Sequence, residues 1–388
     1  MHLSESARAV FAVLAGAGTA TRPQLAAGAG LSKPTVSSAM AELEAAQLAA
    51  CSGTASGGTG RSAAVYGLGP AAGAVLAIDL GPTHTRVRGC ALDGTLLAQA
   101  TGSRADAADA VREALDSLPA GGPLRAIVVA VGDVTTQDPE GTGMRPATAK
   151  AGPAFDAMSV ALPPGVPVHL ENNVNCAALA ELHEGAARGR HTFGYLRIGV
   201  GIGLGVVIGG KVLRGANGAA GEVARLPYPW DEGREPRHEA LEEYIGARSL
   251  LRRAREAWQD ADGPRPRTVE RLFALAEEGH ATARTVVGRH AADVGRLATA
   301  VAAVLDPGLI VLGGATGADP QLLPGVRAEL ARLSWPTEVV SSTLGDSGTV
   351  AGASRLAVAH GIQIVTGRHA GEALTGNRRS ANVRTSAF

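Results

Sequence analysis

The chain has 388 residues, and its 36 Lys and Arg side chains balance its 36 Asp and Glu side chains to a formal net charge of +0. This balance excludes a generally basic nucleic-acid coat protein and a strongly acidic disordered chain, but it is compatible with a local DNA-binding patch. Hydrophobic residues make up 45%, and Gly (52) and Pro (21) stay below the roughly 25–30% of low-complexity sequences. We therefore expect a globular protein with the length of about two and a half domains.

Targeting and redox features favour a cytoplasmic protein. The N-terminus, MHLSESARAV, lacks the basic region and apolar run of a secretory signal. No run of about 18 apolar residues is free of charges and breakers, so we expect no membrane partner. The three cysteines, Cys51, Cys90 and Cys176, are far apart, which favours a reducing compartment without a disulfide framework or a zinc cage.

Three zones follow one another along the chain. Residues 1–48 have a helical pattern, whereas residues 49–73 are rich in Gly, Ala and Ser and predict a wing and a connection. Residues 74–365 alternate apolar strands with helical stretches, which indicates an α/β fold. The predicted domains are a DNA-binding domain over 1–68, a ligand-sensing domain over 74–366 and a disordered tail over 367–388.

The N-terminal zone predicts three helices. The apolar residues of the first recur at helical spacing, as Ala7, Val10, Phe11 and Leu14. Thr21 begins a short second helix, Gly28–Gly30 supply a turn, and Ser32 begins a third helix. This order is typical of helix-turn-helix proteins, whose last helix enters the major groove of DNA.

Polar side chains near the starts of these helices suit contacts with phosphates and base edges. Arg61 follows the Gly-rich stretch SGTASGGTG, at the tip or base of the predicted wing. The candidate DNA-binding residues are Arg22, Ser32, Lys33, Thr35, Ser37, Ser38 and Arg61. The alternative is a helical interaction or dimerisation domain in which Ser and Thr are ordinary caps. Residues 1–70 carry only four cations against three carboxylates, so we expect DNA affinity to depend on dimerisation.

The large α/β region repeats itself. The segment VLAIDLGPTHTRVRGCALDGTLL predicts strand, Gly turn, strand, turn and strand, and YLRIGVGIGLGVVIGGKVLRG predicts the same pattern about 120 residues later. Two halves that each begin in this way indicate two similar lobes facing a cleft. Clefts between lobes are common sites for small ligands.

Several motifs in order resemble the ROK family of bacterial repressors and sugar kinases. The resemblance rests on LAAGAGLSKPTVSSAMAELEAAQL, AIDLG, VHLENNVNCAALAE, GVGIGLGVVIGGKVLRGANGAAGE, DPGLIVLGG and LGDSGTVAGASRLA. It implies a pair of RNase-H-like lobes of the actin and hexokinase type, in agreement with the repeated segments. The expected fold class is therefore α/β, with an N-terminal winged helix-turn-helix followed by two such lobes.

The kinases of this family use ATP and Mg²⁺, and the resemblance places their key residues in this sequence. Their phosphate turn, D-x-G-G-T, corresponds to Asp79–Thr83, where Pro82 has no N–H to offer. Their catalytic Asp, in E-N-D-x-N, corresponds to Asn173. A neutral amide cannot take a proton from a sugar hydroxyl, although it can still form hydrogen bonds or cap a helix. We therefore expect no catalytic residue and no cofactor.

The zinc site of many family members has lost its donors in this chain. Arg225 stands where the resemblance expects a zinc-binding His, and the stretch WDEGREPRHEALEEY contains no cysteine. His238 is the only thiolate or imidazole donor in that stretch. Because a structural zinc ion needs four such donors, we predict no structural metal site.

The resemblance also indicates a sugar-binding pocket. Asn172, Glu222 and Glu242 correspond to family residues that contact sugar hydroxyls. The candidate ligand-binding residues are Asn172, Asn173, Glu222, Arg225 and Glu242. Arg225 has two interpretations: together with Lys150 it favours a phosphorylated or acidic sugar, or it pairs with a nearby carboxylate and fills space.

These features predict a ligand-responsive transcriptional regulator, most simply a repressor. It would bind a pseudo-palindromic operator in double-stranded DNA as a homodimer or tetramer, with half-sites about 34–36 Å or a multiple apart. A sugar or sugar phosphate would change the lobe closure, and the segment Gly67–Gly73 would transmit the change. The alternatives are an ATP-dependent sugar kinase with an accessory DNA-binding module, and a DNA-binding protein whose pocket responds to nothing or to a partner protein.

Overall fold

The structure is a computed structural model, and it describes residues 3–55, 63–137, 144–146, 152–229 and 233–367. The predicted contact residue Arg61, the predicted pocket residue Lys150 and residues 368–388 of the predicted tail lie outside these ranges.

The N-terminal module has three helices and a three-stranded antiparallel sheet of order β1-β3-β2. Its elements are α1 (Glu5–Ala17), β1 (Thr19–Thr21), α2 (Arg22–Ala29), α3 (Lys33–Ala45), β2 (Ala49–Ala55) and β3 (Ala63–Leu68). The three helices and the hairpin occur in the predicted order. The sequence did not predict β1, because a three-residue strand is recognisable only through its pairing with the distant strand β3.

Local hydrogen bonds fix the ends of these helices. Ser32 caps α3, since its Oγ accepts the backbone N–H of Thr35 at 3.3 Å. At the start of α2, the hydroxyl and backbone N–H of Thr21 both donate to Oε1 of Gln24 at 2.8 Å. Gly30 ends α2 in the left-handed region at φ 66°, a conformation that glycine adopts readily.

The first lobe contains a five-stranded sheet of order β10-β7-β4-β5-β6 and a two-stranded ribbon, β8-β9. Its strands are β4 (Ala74–Leu80), β5 (His84–Ala91), β6 (Leu96–Ser103), β7 (Leu124–Val131), β8 (Thr135–Gln137), β9 (Met144–Pro146) and β10 (Val168–Asn172). Its helices are α4 (Ala107–Asp116) and α5 (Gly152–Ser159).

The second lobe has a sheet of order β13-β12-β11-β14-β15. Its strands are β11 (Phe193–Ile198), β12 (Ile202–Ile208), β13 (Lys211–Val212), β14 (Leu309–Gly313) and β15 (Glu338–Ser341). The remaining helices are α6 (Asn173–His183), α7 (Ala240–Ile245), α8 (Ala247–Ala257), α9 (Val269–Glu277), α10 (Ala281–Leu305), α11 (Gly314–Gly317), α12 (Leu323–Leu333) and α13 (Gly348–Thr366).

The two sheets have the same plan. In each, three antiparallel strands come first in the chain, and two parallel strands then extend the opposite edge. This repetition confirms the predicted α/β class with two similar lobes. Helices α6 and α13 contact each other between the lobes, with α13 also against β4 and β7, and α6 also against β12.

The N-terminal module shares a hydrophobic core with the first lobe. Phe11 and Leu14 of α1 belong to the same buried cluster as Val75 and Leu92 of the first lobe, together with residues of α13. The predicted limits 1–68 and 74–366 stay predictions, but the apolar packing is continuous across them.

The connection between the module and the first lobe, residues Gly67–Gly73, packs tightly against the backbone of both. A Cβ at Gly69 would lie 2.3 Å from the carbonyl oxygen of Gln47, and one at Gly73 would lie 2.1 Å from that of Pro123. Backbone of the module on one side and of the first lobe on the other therefore holds the segment Gly67–Gly73, which does not form a free hinge.

Within the described ranges, none of the helices is both long and apolar enough to cross a membrane. All three cysteines are free, with Cys51 exposed and Cys90 and Cys176 buried.

Candidate functional site

Asn172 joins strand β10 of the first lobe to helix α6, which also contacts β12 of the second lobe. Its Oδ1 caps the helix by accepting the backbone N–H of Val174 at 2.8 Å. Its Nδ2 donates to the backbone oxygen of Asp133 at 3.1 Å, just beyond the end of β7. Since β7 and β10 are parallel neighbours, their carboxyl ends meet at one edge of the sheet, where ligands of α/β proteins usually bind.

Asn173 is the first residue of α6, and it is only 3% exposed. Its Nδ2 lies 3.4 Å from the position that a Cβ of Gly132 would occupy, so the amide faces the carboxyl end of β7. An amide can both donate and accept hydrogen bonds, so Asn173 could contact a ligand hydroxyl at this position.

Glu171 and Arg214 form an ion pair that the sequence analysis missed. Glu171 lies on β10 and is 6% exposed, and its Oε2 accepts hydrogen bonds from Nε and Nη2 of Arg214 at 2.8 and 2.6 Å. Its Oε1 accepts from Nδ2 of Asn175 at 3.0 Å. Arg214 follows β13, so the pair joins the two lobes. The sequence marked Glu171 only as the first residue of the E-N-D-x-N segment, and nothing near it indicated Arg214 as its partner.

The buried thiol of Cys176 is influenced by two carboxylates of the first lobe. Burial raises the pKa of Cys176 well above its ordinary value, and the negative charges of Glu171 and Asp79 raise it further. Cys176 is inside α6, whereas Asp79 and Glu171 are the second-last residues of β4 and β10. The positive charge of Arg214, which pairs with Glu171, lowers the pKa of the same thiol and so offsets part of this effect.

Three predicted pocket residues lie on the second lobe. Nε of Arg225 lies 3.8 Å from Oε2 of Glu222, which agrees with the interpretation that Arg225 pairs with a nearby carboxylate. Oε2 of Glu242 accepts the backbone N–H of Ile202 at 3.2 Å. The structure thus gathers Glu222, Arg225 and Glu242 near β12, and Asn172 and Asn173 at the start of α6.

Both groups contact strand β12 or the residue just before it. A Cβ at Gly201 would lie 3.0 Å from Oε2 of Glu242, and one at Gly203 would lie 2.9 Å from Cγ2 of Val174. Alternate residues of a strand share a face, so Glu242 and the first turn of α6 lie on the same side of β12. The glycines of this hairpin are needed because a helix and a carboxylate pack directly on the strand.

The turn that corresponds to the kinase phosphate turn is covered by the side chain of His84. A Cβ at Gly81 would lie 2.6 Å from the His84 ring. Nε2 of His84 lies 3.2 Å from Oδ2 of Asp79, which is 3% exposed. Nη2 of Arg86 reaches Oδ2 of Asp346 at 3.0 Å, while its Nη1 lies 3.9 Å from Asp79. The backbone N–H of Gly81 also donates to the carbonyl oxygen of His84 at 2.9 Å, so this N–H is already used within the turn.

The residues present do not fit the zinc ion of the related proteins. In the ranges that the structure describes, no group of three or more His, Cys, Asp and Glu side chains is placed to hold a metal ion. His238 lies 3.6 Å from Glu239, and Arg225 supplies a cation where a donor would be needed. The absence of a structural metal site stays a prediction.

The predicted DNA-binding residues fall into two groups. Lys33, Ser37 and Ser38 are exposed on α3, whose opposite side is anchored by fully buried Val36 and Met40. The other described candidates also have contacts inside the module. Ser32 and Thr35 bond each other through their hydroxyls at 2.7 Å, and Arg22 lies 3.7 Å from Glu44 and over the ring of Tyr66.

Two lobes with repeated sheets, joined at a polar cleft, define an α/β protein of the hexokinase-like class. The sequence profile of the ROK family matches residues 75–360. The chain therefore belongs to the ROK family.

Known relatives include both enzymes and regulators. The bifunctional enzyme NanE/NanK of Brucella melitensis is 30% identical over 198 residues, which are 50% of this chain but only 36% of that protein. The structure of a ROK hexokinase from Thermus thermophilus is 30% identical with a TM-score of 0.56, and the match covers 73% of this chain and 97% of that one. A ROK family transcriptional regulator, a homologue of the E. coli MLC protein, is 19% identical with a TM-score of 0.67, and the match covers 93% and 97%.

Proposed function

We propose that the protein is a DNA-binding transcriptional regulator, most simply a repressor, whose N-terminal module is a winged helix-turn-helix. The observation that carries the proposal is the presentation of α3. Its apolar side is locked in the core, while Lys33, Ser37 and Ser38 remain exposed along its first half. Recognition helices use this part of their length to reach base edges and phosphates in the major groove.

The extent of structural similarity supports the same proposal. The hexokinase match covers 73% of this chain, about the share that the two lobes make up, whereas the regulator match covers 93% and so extends into the N-terminal module. The hairpin β2–β3 has the position of a wing in the chain order. A homodimer or tetramer would place two copies of α3 on a pseudo-palindromic operator.

We further propose that the cleft senses a sugar-related effector without phosphorylating it. Asn173 offers a buried amide that donates and accepts hydrogen bonds, as a sugar hydroxyl requires. Asn172 precedes it in the chain, Glu242 bonds the backbone N–H of Ile202 at the start of β12, and the carboxylate of Glu171 is held by Arg214. An effector can switch DNA binding only if it binds the two arrangements of the lobes with different affinity.

Selection of duplexes from a randomised library with the purified full chain tests the DNA-binding proposal. We expect an enriched pseudo-palindrome with half-sites one helical turn, or a multiple of it, apart. Fluorescence anisotropy with the enriched duplex and a scrambled duplex then gives the ratio of specific to non-specific affinity. A chain that enriches no sequence and binds both duplexes equally would refute the proposal.

The alternative is an ATP-dependent sugar kinase with an accessory DNA-binding module. It is favoured by kinases among the relatives, such as the glucokinase of Halalkalibacterium halodurans, which is 30% identical over 207 residues. Asn173 and the His84 ring over Gly81 oppose it. A coupled ADP-release assay with hexoses and amino sugars separates the two functions, because sustained turnover supports only the kinase.

A further inference from the structure

A second concave site lies away from the cleft, where the N-terminal module meets the first lobe. This junction cavity has a volume of about 390 Å³. Thr19 and Leu68 line it from the module, and Asp93, Leu97 and Leu118 line it from the first lobe. The volume falls at the lower end of the range for small-molecule sites, which often occur at the borders between domains.

Close contacts between backbone segments fix the walls of the junction cavity. Gly69 and Gly73, which line the cavity, pack against carbonyl oxygens of Gln47 and Pro123 at distances that leave no room for a Cβ. A Cβ at Gly122, another lining residue, would lie 3.0 Å from the carbonyl oxygen of Pro70 and 3.2 Å from Cα of Gly73. The cavity is therefore preformed, and a ligand would not have to order loose loops before it binds.

The lining has one charge. Asp93 is the only ionisable side chain among the lining residues, and its Oδ1 accepts the backbone N–H of Thr95 at 2.9 Å. Within the described part of the chain, no cationic side chain is recorded within ion-pair distance of this carboxylate. Most of the other lining side chains are apolar, among them Leu68, Leu97 and Leu118. One carboxylate in such walls suits a small organic amine, whose cation pairs with the carboxylate while its apolar body contacts the walls.

We propose that the junction cavity binds a small organic amine with an apolar body, oriented by the carboxylate of Asp93. Such a ligand contacts the module and the first lobe at once. It would therefore stabilise the packed arrangement of module and first lobe that the structure shows. Binding of the amine does not depend on the proposed DNA-binding function, whereas any effect of the amine on DNA affinity does.

Calorimetric titration of the full chain with phenethylamine, and with the neutral analogue 2-phenylethanol, tests the binding step. We expect phenethylamine to bind and Asp93→Asn to weaken it about tenfold, which is the effect of losing one charge-assisted hydrogen bond. The matched control is Asp109→Asn, which removes an exposed carboxylate of α4 in the same lobe and should leave binding unchanged. Failure of phenethylamine to bind, equal binding of the neutral analogue or unchanged binding by Asp93→Asn would overturn the proposal.

A second variant locates the ligand. Leu97→Trp would fill the cavity while Asp93 keeps its carboxylate, so it should abolish phenethylamine binding. Circular dichroism and thermal unfolding should show that the variant is folded. Should Leu97→Trp bind as the wild type does, the ligand is elsewhere and the proposal fails.

Reciprocal titrations with the enriched duplex then measure coupling. If the amine changes DNA affinity by some factor, DNA must change amine affinity by the same factor. If the chain bound no DNA at all, the amine titrations would still decide the cavity proposal, so the two proposals can fail separately.

Discussion

Gly352 of α13 lies directly against Cys176 of α6, so that a Cβ at position 352 would be 1.7 Å from the Cys176 carbonyl oxygen. This contact joins the two helices that lie between the lobes. Helix α6 begins at the candidate pocket with Asn173, and α13 ends at Thr366, so that the following Gly367 lies next to the guanidinium of Arg8 in the N-terminal module. The pair α6–α13 therefore links the pocket to the module by continuous packing, a route that does not use the connection Gly67–Gly73.

Replacing Gly352 by Ala tests this contact. The added methyl would overlap with backbone, which cannot move aside as a flexible side chain can, so the helices must separate. We expect the free energy of unfolding to fall by about 1–3 kcal/mol, the usual cost of overpacking a core. Urea unfolding followed by circular dichroism measures the change.

Gly348→Ala is the matched control, because it adds the same methyl at the start of the same helix. There the nearest atom outside the chain neighbours is Cβ of Leu344 at 3.5 Å, an ordinary contact. We expect no loss of stability from this change, and Ala favours a helix over Gly by about 0.5–1 kcal/mol. Equal destabilisation by both variants would show that the close contact with Cys176 is not the cause.

The ion pair between Glu171 and Arg214 makes a second prediction. Removing Arg214 leaves the buried carboxylate of Glu171 with the side-chain amide of Asn175 and the backbone N–H of Asn172 as partners. Since the Arg214 side chain is 52% exposed, water can replace part of its charge, so we expect Arg214→Ala to cost about 1–2 kcal/mol. Thermal and urea unfolding measure the loss.

Arg112→Ala is the control for that variant. Arg112 pairs with Asp109 on the exposed face of α4, and pairs of this kind contribute at most about 1 kcal/mol. A loss of stability no larger for Arg214→Ala than for Arg112→Ala would contradict a structural role of the pair between the lobes.

Local signals in the sequence predicted the elements well. The three helices, the hairpin and the two repeated sheets follow from apolar spacing, turn residues and caps such as Ser32. The strand β1 and the close packing of the connection could not be predicted this way. Thr19 and Gly69 contact backbone that is distant in the sequence, and local patterns do not show such contacts. The continuous core of Phe11 and Val75 is likewise a product of tertiary packing.

For the same reason, the sequence predicted only part of the candidate site. Asn172 and Asn173 stand out because they flank the start of a helix in a recognisable motif. Arg214 does not, since nothing near it in sequence shows that it pairs with Glu171. The covering of Gly81 by His84 also depends on how the hairpin folds back, whereas the sequence showed only the missing N–H of Pro82.

Restoring the carboxylate at position 173 tests why the cleft would lack kinase activity. A positioned general base contributes about 10²–10⁴-fold to such reactions. We expect Asn173→Asp to show no rise in ADP release with ATP and hexoses, because His84 still lies over Gly81 and Pro82 still offers no N–H. Coupled ADP assays on wild type and variant measure this, with a ROK glucokinase as the positive control. A rise of about a hundredfold would show that the missing base was the only obstacle.

The stability of the chain should depend on pH through its buried histidines. His290 is fully buried in the second lobe, and burial, assisted by the positive charge of Arg253, lowers its pKa to about 4. In the unfolded chain the same group has a pKa of about 6.5. The unfolded state therefore binds more protons between these values, so stability is full above pH 6.5 and falls as the pH drops towards 4.

His290→Leu should flatten this fall, by up to about 1.4 kcal/mol for each pH unit in that window. The control is His238→Gln, because the His238 side chain is 61% exposed and should leave the pH profile unchanged. Urea unfolding at a series of pH values from 4 to 8 provides the measurement. An unchanged slope in His290→Leu would mean that other groups cause the acid sensitivity.

The salt dependence of DNA binding gives the most direct test of α3. Each phosphate neutralised by a cation contributes about −0.9 to the slope of log affinity against log salt concentration. Lys33 is exposed at the start of α3, so Lys33→Ala should weaken binding to the enriched duplex and reduce that slope by about 1 for each copy in contact with DNA. Lys211→Ala makes the same change of charge at the exposed strand β13 of the second lobe, and we expect it to alter neither quantity. Anisotropy titrations at several salt concentrations distinguish the two. If both variants lowered the slope equally, the effect would reflect net charge alone, and α3 would have no special position on the DNA.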